Sequence, residues 1–543
     1  MAVVNSYGVQ PATAPQNPRP SYQPSLFARC LAITGALLLL AFLVLPVYCQ
    51  AFEDAIILFQ YSANFARHGV ISFIPNGPRA EGATDFLWMI YLAAGHKIGL
   101  PLYPLAIATS ALCVVLFAIV LLRLAKQRLT FWNLGALVCL FLLAPQVFAA
   151  EAGFSVFAFG LLLGWMAALA FRDRYGWTCA AGLLLCLTRP DGVVFALPLL
   201  AILLFRGDGP RKRIWKLAAF FVLPGLIYFL WRWTYFGHFL PLPFYVKSDT
   251  QRLWGVLVLK SVTSLAPPLL AAIAMLAIGL RKRLLDQRNL LLLGALIVPS
   301  SLFYAAMRLD QNFANRFFLY PLVVAAVLLA GNYEHLRACS RPVLLPALGI
   351  WVLCLSYFWI NWMVIYSVEY PEPQVVAVSR ELGKLPQRGS MIVSESGAIP
   401  FYSQWTAYDP WGLNTPQFAK RLIQPADVVA LHPDLIILHQ ESGPMPCAVA
   451  AGSRIPQTER SWDNMAQNVI AGIDQKQYVQ WLLPEYNAYY RSHPLRWNGQ
   501  PRPGKFDYQC WFIRSDDSET TEIERLLEQF GGLSAKSFEA GRR

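Results

Sequence analysis

Apolar runs follow one another along most of this chain, and they leave few folds open to it. They lie at approximately residues 31–47, 102–122, 133–150, 154–171, 177–188, 192–205, 214–236, 257–280, 289–306, 317–331 and 343–366. A bilayer core takes roughly 20 apolar residues per helix, so the pattern predicts an α-helical polytopic membrane protein with about eleven transmembrane helices. Only 14% of the residues are charged, against about 25% in a soluble domain. The formal charge of +13 sits in short loops between spans, so it argues for membrane topology and against nucleic-acid binding.

Orientation follows from those loops. With the N-terminus inside, the basic groups around Arg123, Arg172, Arg206–Lys216, Arg281–Arg288 and Arg337–Arg341 share one face. Glu53, Asp54, Glu81, Asp85, Glu151, Asp191, Asp249 and Asp310 gather on the other. An odd number of spans then puts the C-terminus outside. Residues 1–28, rich in Pro, Ser, Asn and Gln, read as a disordered cytoplasmic tail. The first apolar run lacks a small-residue cleavage site and reads as a retained helix rather than a signal peptide. The runs flanking Thr188–Gly192 are short for a full crossing, which predicts two short or tilted helices meeting in a turn beside a cavity.

From about Glu369 the composition becomes that of a soluble α/β domain, expected over 369–515, with strands at 390–394 (SMIVS) and 435–439 (LIILH) and a helix at 416–424. Residues 453–505 read as irregular and 516–543 as a terminal appendage. Of the ten cysteines, eight lie in or beside apolar runs and read as small core residues. Cys447 and Cys510 fall in the hydrophilic part, where export would allow a disulfide.

The first loop, residues 50–101, carries the most chemistry. Glu53 and Asp54 open it where a span should meet water, followed by Arg67, His68, Arg79, Glu81 and Asp85. Ionisable groups held at a bilayer boundary are costly and mark functional sites. The plainer reading is that Glu53 and Asp54 merely favour a helix N-terminus.

These residues resemble a known pattern. Glu53, Asp54, Tyr61, Asn64, Gly69, Pro75, Asn76, Glu81, Gly82, Asp85, Leu87 and Trp88 match the first loop of the bacterial GT-C class membrane glycosyltransferases, nearest the branch of terminal arabinofuranosyltransferases. Leu187–Gly192, Trp231 to Lys247, Asn315–Phe317 with Pro321, Gly397–Ser403 and Trp411–Asn414 continue the resemblance. Three positions depart from it: Glu53 and Gln60 stand where Asp and Arg are usual, and Asp85 where Asn is common. The resemblance implies a GT-C-like fold in the bacterial inner membrane with a periplasmic C-terminal domain. It implies a polyprenyl phosphate sugar donor, arabinofuranose or another pentose as the sugar, and a periplasmic glycan or protein as acceptor.

In that setting Asp54 is the expected base for the acceptor hydroxyl, with Glu53 as second base, orienter or metal ligand. The adjacent pair leaves room for a divalent cation, although no spacing demands one. Arg189, Lys247 and Arg316 are the expected phosphate contacts, with His68 as a further donor. Against this, Arg189 could pair with Asp191, Lys247 could snorkel, and Arg316 could mark a helix start. Glu81, Asp85, Tyr245 and Glu151 are expected at sugar or acceptor, although Glu81 could instead brace the Arg79 turn. The C-terminal domain has no glycine-rich phosphate loop and is expected to guide the acceptor. A transporter or flippase would carry charges deep within spans and an inverted repeat; neither is evident. A non-catalytic scaffold stays open.

Overall fold

The computed structural model describes residues 25–44, 51–206, 209–248, 287–307, 312–334, 373–440, 460–474, 476–485, 496–497, 500–501 and 507–534. The expected spans at 257–280 and 343–366, and most of the N-terminal tail, lie outside the described residues.

Among the described residues five helices are long and apolar enough to cross a membrane: α1 (Leu26–Val44), α4 (Leu102–Leu124), and those at Pro210–Phe236, Asn289–Ala306 and Phe313–Gly331. The chain thus has the character of a membrane protein. Four more apolar helices are shorter: α5 (Phe131–Leu142), α7 (Val156–Phe171), α8 (Tyr175–Thr188) and α9 (Gly192–Arg206). At 1.5 Å per residue the 16 residues of α7 rise only about 24 Å, short of a full ~30 Å crossing. The apolar run at 133–150 is not one helix. Pro145 lacks an amide hydrogen and disfavours helical geometry in the residue before it, so α5 ends at Leu142 and a six-residue α6 (Gln146–Glu151) follows. α1 lies directly on α5: a Cβ on Gly35 would stand 2.1 Å from the Gly135 carbonyl oxygen, so the two backbones touch as small residues permit in membranes.

The first loop is not a loose connection. α2 (Glu53–His68) and α3 (Phe86–Lys97) pack against each other beside the bundle. α2 buries Ala55, Ile56 and Phe59 together with Trp88 and Leu92 of α3. Gln60, at the position where the resembled family usually has Arg, is buried and donates to the Phe73 carbonyl at 3.1 Å. Asn64 donates to the carbonyls of Ser72 and Phe73. Both side chains hold the Ser72–Phe73 stretch where the loop returns toward α2.

The C-terminal part contains the expected α/β layer. Its strands are β1 (Ser390–Val393), β2 (Thr406–Tyr408), β3 (Leu435–Gln440), β4 (Tyr478–Glu485), β5 (Arg496–Trp497), β6 (Gln500–Pro501), β7 (Asp507–Arg514) and β8 (Leu533–Ser534). Six form one mixed sheet in the order β2-β1-β3-β7-β4-β8, and β5 and β6 pair separately. β1 runs parallel to β2 and β3, and the remaining pairings of the large sheet are antiparallel. β3 is a continuous apolar run because both faces are covered. Leu435 and Ile437 face a layer with Val378, Leu382, Trp511 and Ile523, while Ile436 and Leu438 face Phe418, Met465 and Val469. The first of these layers also contains Tyr61, Ile71, Phe73 and Met89. The membrane-side loop and the sheet therefore share one core.

Several sequence expectations change here. The stretch expected to be irregular contains a helix at Trp462–Ala471 and β4. The helix expected at 416–424 is one turn, Pro416–Ala419. The terminal appendage is part of the domain: the Thr520–Gln529 helix buries Ile523 and Leu527 against the sheet, and β8 pairs with β4. Cys510 on β7 is disulfide-bonded; Cys447 lies outside the described residues.

One loop pins the sheet to the membrane side. Asp409 is buried, and its carboxylate accepts from the backbone N–H groups of Trp411, Gly412 and Asn414. Burial pushes its pKa up to about 6 although those hydrogen bonds pull it down. The loop so shaped offers the Asn414 side chain to the Tyr61 hydroxyl, at 3.2 Å, while Tyr61 accepts from Gly82 N–H. Asp409→Ala removes the acceptor for three buried amides and should destabilise the domain by about 2–4 kcal/mol. Denaturant unfolding of the full chain, followed by tryptophan fluorescence, measures this.

Candidate functional site

Three segments converge on the start of α2. Phe52 is extended, and its N–H donates to the Ala152 carbonyl at 3.0 Å, which sets the angle at which Glu53 and Asp54 enter the first turn. The second segment is the α8–α9 turn, where Arg189 leaves the helix in extended geometry. The third is the short turn Phe313–Phe318, in which Ala314 and Asn315 have left-handed backbone (φ 48° and 53°). Such geometry is unfavourable for alanine. It is held by Gln146, which donates to the Asn315 carbonyl at 3.3 Å, and by Asn312, which accepts from Phe317 N–H at 3.2 Å. The turn delivers Arg316 to the acidic end of α2.

The charged groups interlock. Arg316 Nη2 lies 3.0 Å from Asp54 Oδ2. Arg189 makes a two-pronged contact with Asp191, at 3.1 and 2.5 Å, and Tyr304 donates its hydroxyl to the same carboxylate. Both guanidinium groups rest on the Phe317 ring, Arg189 at 4.6 Å and Arg316 at 5.2 Å from its centroid. Arg316 also stacks on Phe154 at 4.0 Å. Asp85 closes the group. It accepts from Ser155, burial raises its pKa, and Arg189 and Arg316 pull it back. Asp54, Asp85, Arg189 and Arg316 thus form one cluster. The side chain of Asp54 is 32% exposed while that of Arg316 is 11%, so the carboxylate is the accessible end. Among the described residues Arg316 Nη1 is buried without a hydrogen-bond partner, an arrangement that native proteins rarely leave in place without a use.

Other expected site residues lie elsewhere. Glu53 turns away from the cluster: its carboxylate accepts from the backbone N–H groups of Gly397 and Ala398, the latter at 2.8 Å. It is not placed as a base. Glu81 is buried against Arg232 in a two-pronged ion pair, both contacts at 2.6 Å, so it braces the loop rather than meeting a sugar, and its partner is Arg232 rather than Arg79. His68 is exposed at the far end of α2, about 20 Å along the helix from Asp54. Tyr245 accepts from Leu240 N–H and lies under Lys420 Nζ of the C-terminal domain, 5.0 Å from the ring centroid. Lys247 shares that helix (Leu242–Ser248), which packs on the Pro416–Ala419 turn. Both are therefore outside the cluster. Glu151 ends α6 in a buried position beside the Ala152 carbonyl that receives Phe52.

Among the described residues no group of three or more His, Cys, Asp or Glu is arranged to hold a metal ion. Glu53 and Asp54 are engaged by different partners, which removes the geometric basis for a cation shared between them.

Gly397 permits the Glu53 contact. A Cβ there would stand 2.3 Å from the Glu53 carbonyl oxygen and 2.6 Å from its side-chain carboxyl carbon. Gly397→Ala should force the two segments apart at a cost of about 1–3 kcal/mol, seen as faster proteolytic release of the C-terminal domain from the full chain.

A family model described as a domain of unknown function (DUF8728) matches residues 365–491. The match covers the C-terminal domain as far as β4 and leaves out the membrane helices. No curated protein and no solved structure matches the chain.

Proposed function

We propose that this chain is a membrane glycosyltransferase that moves a sugar from a polyprenyl phosphate to a hydroxyl on a periplasmic glycan or protein. The sugar suggested by the sequence resemblance is arabinofuranose, and the setting is the bacterial inner membrane with the N-terminus in the cytoplasm. The observation that carries the reading is the pairing of an accessible carboxylate, Asp54, with a buried guanidinium whose Nη1 has no hydrogen-bond partner among the described residues, Arg316.

Transfer requires the acceptor oxygen to bond to the anomeric carbon while the bond from that carbon to the phosphate oxygen breaks. The acceptor proton needs a base, and the departing phosphate needs positive charge. A donor phosphate entering beside Arg316 competes with Asp54 for the guanidinium. As the cation shifts to phosphate, Asp54 is released to take the hydroxyl proton. The leaving group departs as polyprenyl phosphate. Arg189 stays tied to Asp191 and supports the field from behind Phe317.

The test uses the purified full chain in lipid nanodiscs, supplied with polyprenyl phosphate-linked pentoses and hexoses and a periplasmic glycan fraction. Sugar appearing on the acceptor, with release of polyprenyl phosphate, is expected. Folded protein that neither binds nor consumes any of these donors would sink the reading.

A further inference from the structure

The second carboxylate of the pair belongs to an interface between two parts of the fold. Glu53 reaches across to the start of the six-residue helix Ala398–Ser403 and accepts from two consecutive backbone amides. Those amides lie in the short turn that joins β1 (Ser390–Val393) to the Ala398–Ser403 helix, so they sit at the edge of the central sheet. Glu53 is also the first residue of α2, and Asp54 is the next. A shift of the 395–398 loop therefore reaches Asp54 through the Glu53 side chain, held at both carboxylate oxygens, and one backbone step.

We infer that Glu53 is a positioning residue, the latch through which the C-terminal domain holds Asp54 against Arg316. The role rests on the glycosyltransferase reading only where it concerns turnover; the latch itself is a statement about the interface. Glu395, two residues before Gly397, lies on the same side and raises the pKa of Glu53, adding to the larger effect of burial; together they bring it to about 8. Glu395 is in turn bonded to the His439 ring of β3 and accepts from Gln509 of β7 at 3.4 Å. Among the described residues the other titratable groups facing Glu53 are Asp54 beside it and Tyr402, whose ring lies under Arg380. As an acid with a raised pKa, Glu53 is mostly protonated at pH 7 and ionises as the pH passes about 8, so the latch changes state within a measurable range.

The experiment compares the wild-type chain, Glu53→Gln and Glu395→Gln in nanodiscs by amide hydrogen exchange and by transfer kinetics across pH 6 to 9. In Glu53→Gln, exchange should accelerate on the order of tenfold both at Gly397–Ala398 and at the first α2 amides, Ala55 and Ile56, which donate to the Phe52 carbonyl. Acceleration at 397–398 alone, or at neither place, overturns the latch whether or not the chain is active. In transfer, kcat should bend near pH 8, the bend should move to lower pH in Glu395→Gln, and it should vanish in Glu53→Gln with donor KM unchanged. An active wild type whose bend survives Glu53→Gln overturns the positioning role. A wild type without transfer counts against the glycosyltransferase reading alone, and the exchange result still decides the latch.

Discussion

Asp54→Asn should lower kcat by about two to four orders of magnitude, the range that a positioned general base contributes, while donor KM stays near the wild-type value. The reasoning is local. Asparagine has the size of aspartate and can still accept from Arg316, so the 3.0 Å contact keeps a partner. What it cannot do is take up the acceptor proton. In the proposed mechanism phosphate recognition falls to Arg316, whose Nη1, without a hydrogen-bond partner among the described residues, is untouched by the change. Steady-state kinetics with lipid-linked sugar resolve the two parameters. Turnover within twofold of wild type would remove Asp54 as the base, and a large rise in KM at constant kcat would make it a binding group instead.

The largest effect on stability is expected at Arg232. Its guanidinium is buried with Glu81, contacts that carboxylate twice at 2.6 Å and donates to the Phe239 carbonyl at 2.8 Å. Arg232→Met leaves a carboxylate buried without its counter-charge, and breaking such a pair costs about 3–5 kcal/mol. Because the Glu81 carbonyl also accepts from Leu242 N–H, the Leu242–Ser248 helix should loosen with the loop. The double replacement Glu81→Met with Arg232→Met removes both charges and should recover most of the loss. Thermal unfolding of the detergent-solubilised chain measures both. Equal destabilisation by the single and the double change would mean that packing, rather than charge pairing, sets the cost.

How much of this was legible in the sequence depends on how far apart the partners lie. The apolar runs announced a membrane protein because lipid imposes a length on each of them. The break at Pro145 was visible in the same letters, since proline rarely continues a helix. Asp54 stood out as a charge where none is cheap, and Arg189 with Asp191 formed a pair two residues apart that local reading could weigh. Glu81 and Arg232 are separated by 151 positions, and nothing local marks them as partners. The Glu53 contact was harder still, because its partners are backbone amides and leave no side-chain signature. Tyr304 offered one signal that went unused: a hydroxyl inside an apolar run needs an acceptor, and Asp191 supplies it. The terminal helix reads as an appendage because its acidic face dominates the composition, while Ile523 and Leu527, four apart, form the face that the sheet covers.

The ends of the large sheet carry a consequence for crowded surroundings. Its outermost strands, β2 and β8, are three and two residues long, whereas β7 near the middle has eight. A rim that short offers almost no free ladder to a neighbour. Molecules confined to one plane of lipid meet often and in similar orientations, so an extended rim would invite end-to-end polymerisation. Trimmed margins of this kind make edge-to-edge joining of neighbouring copies through strand pairing unfavourable.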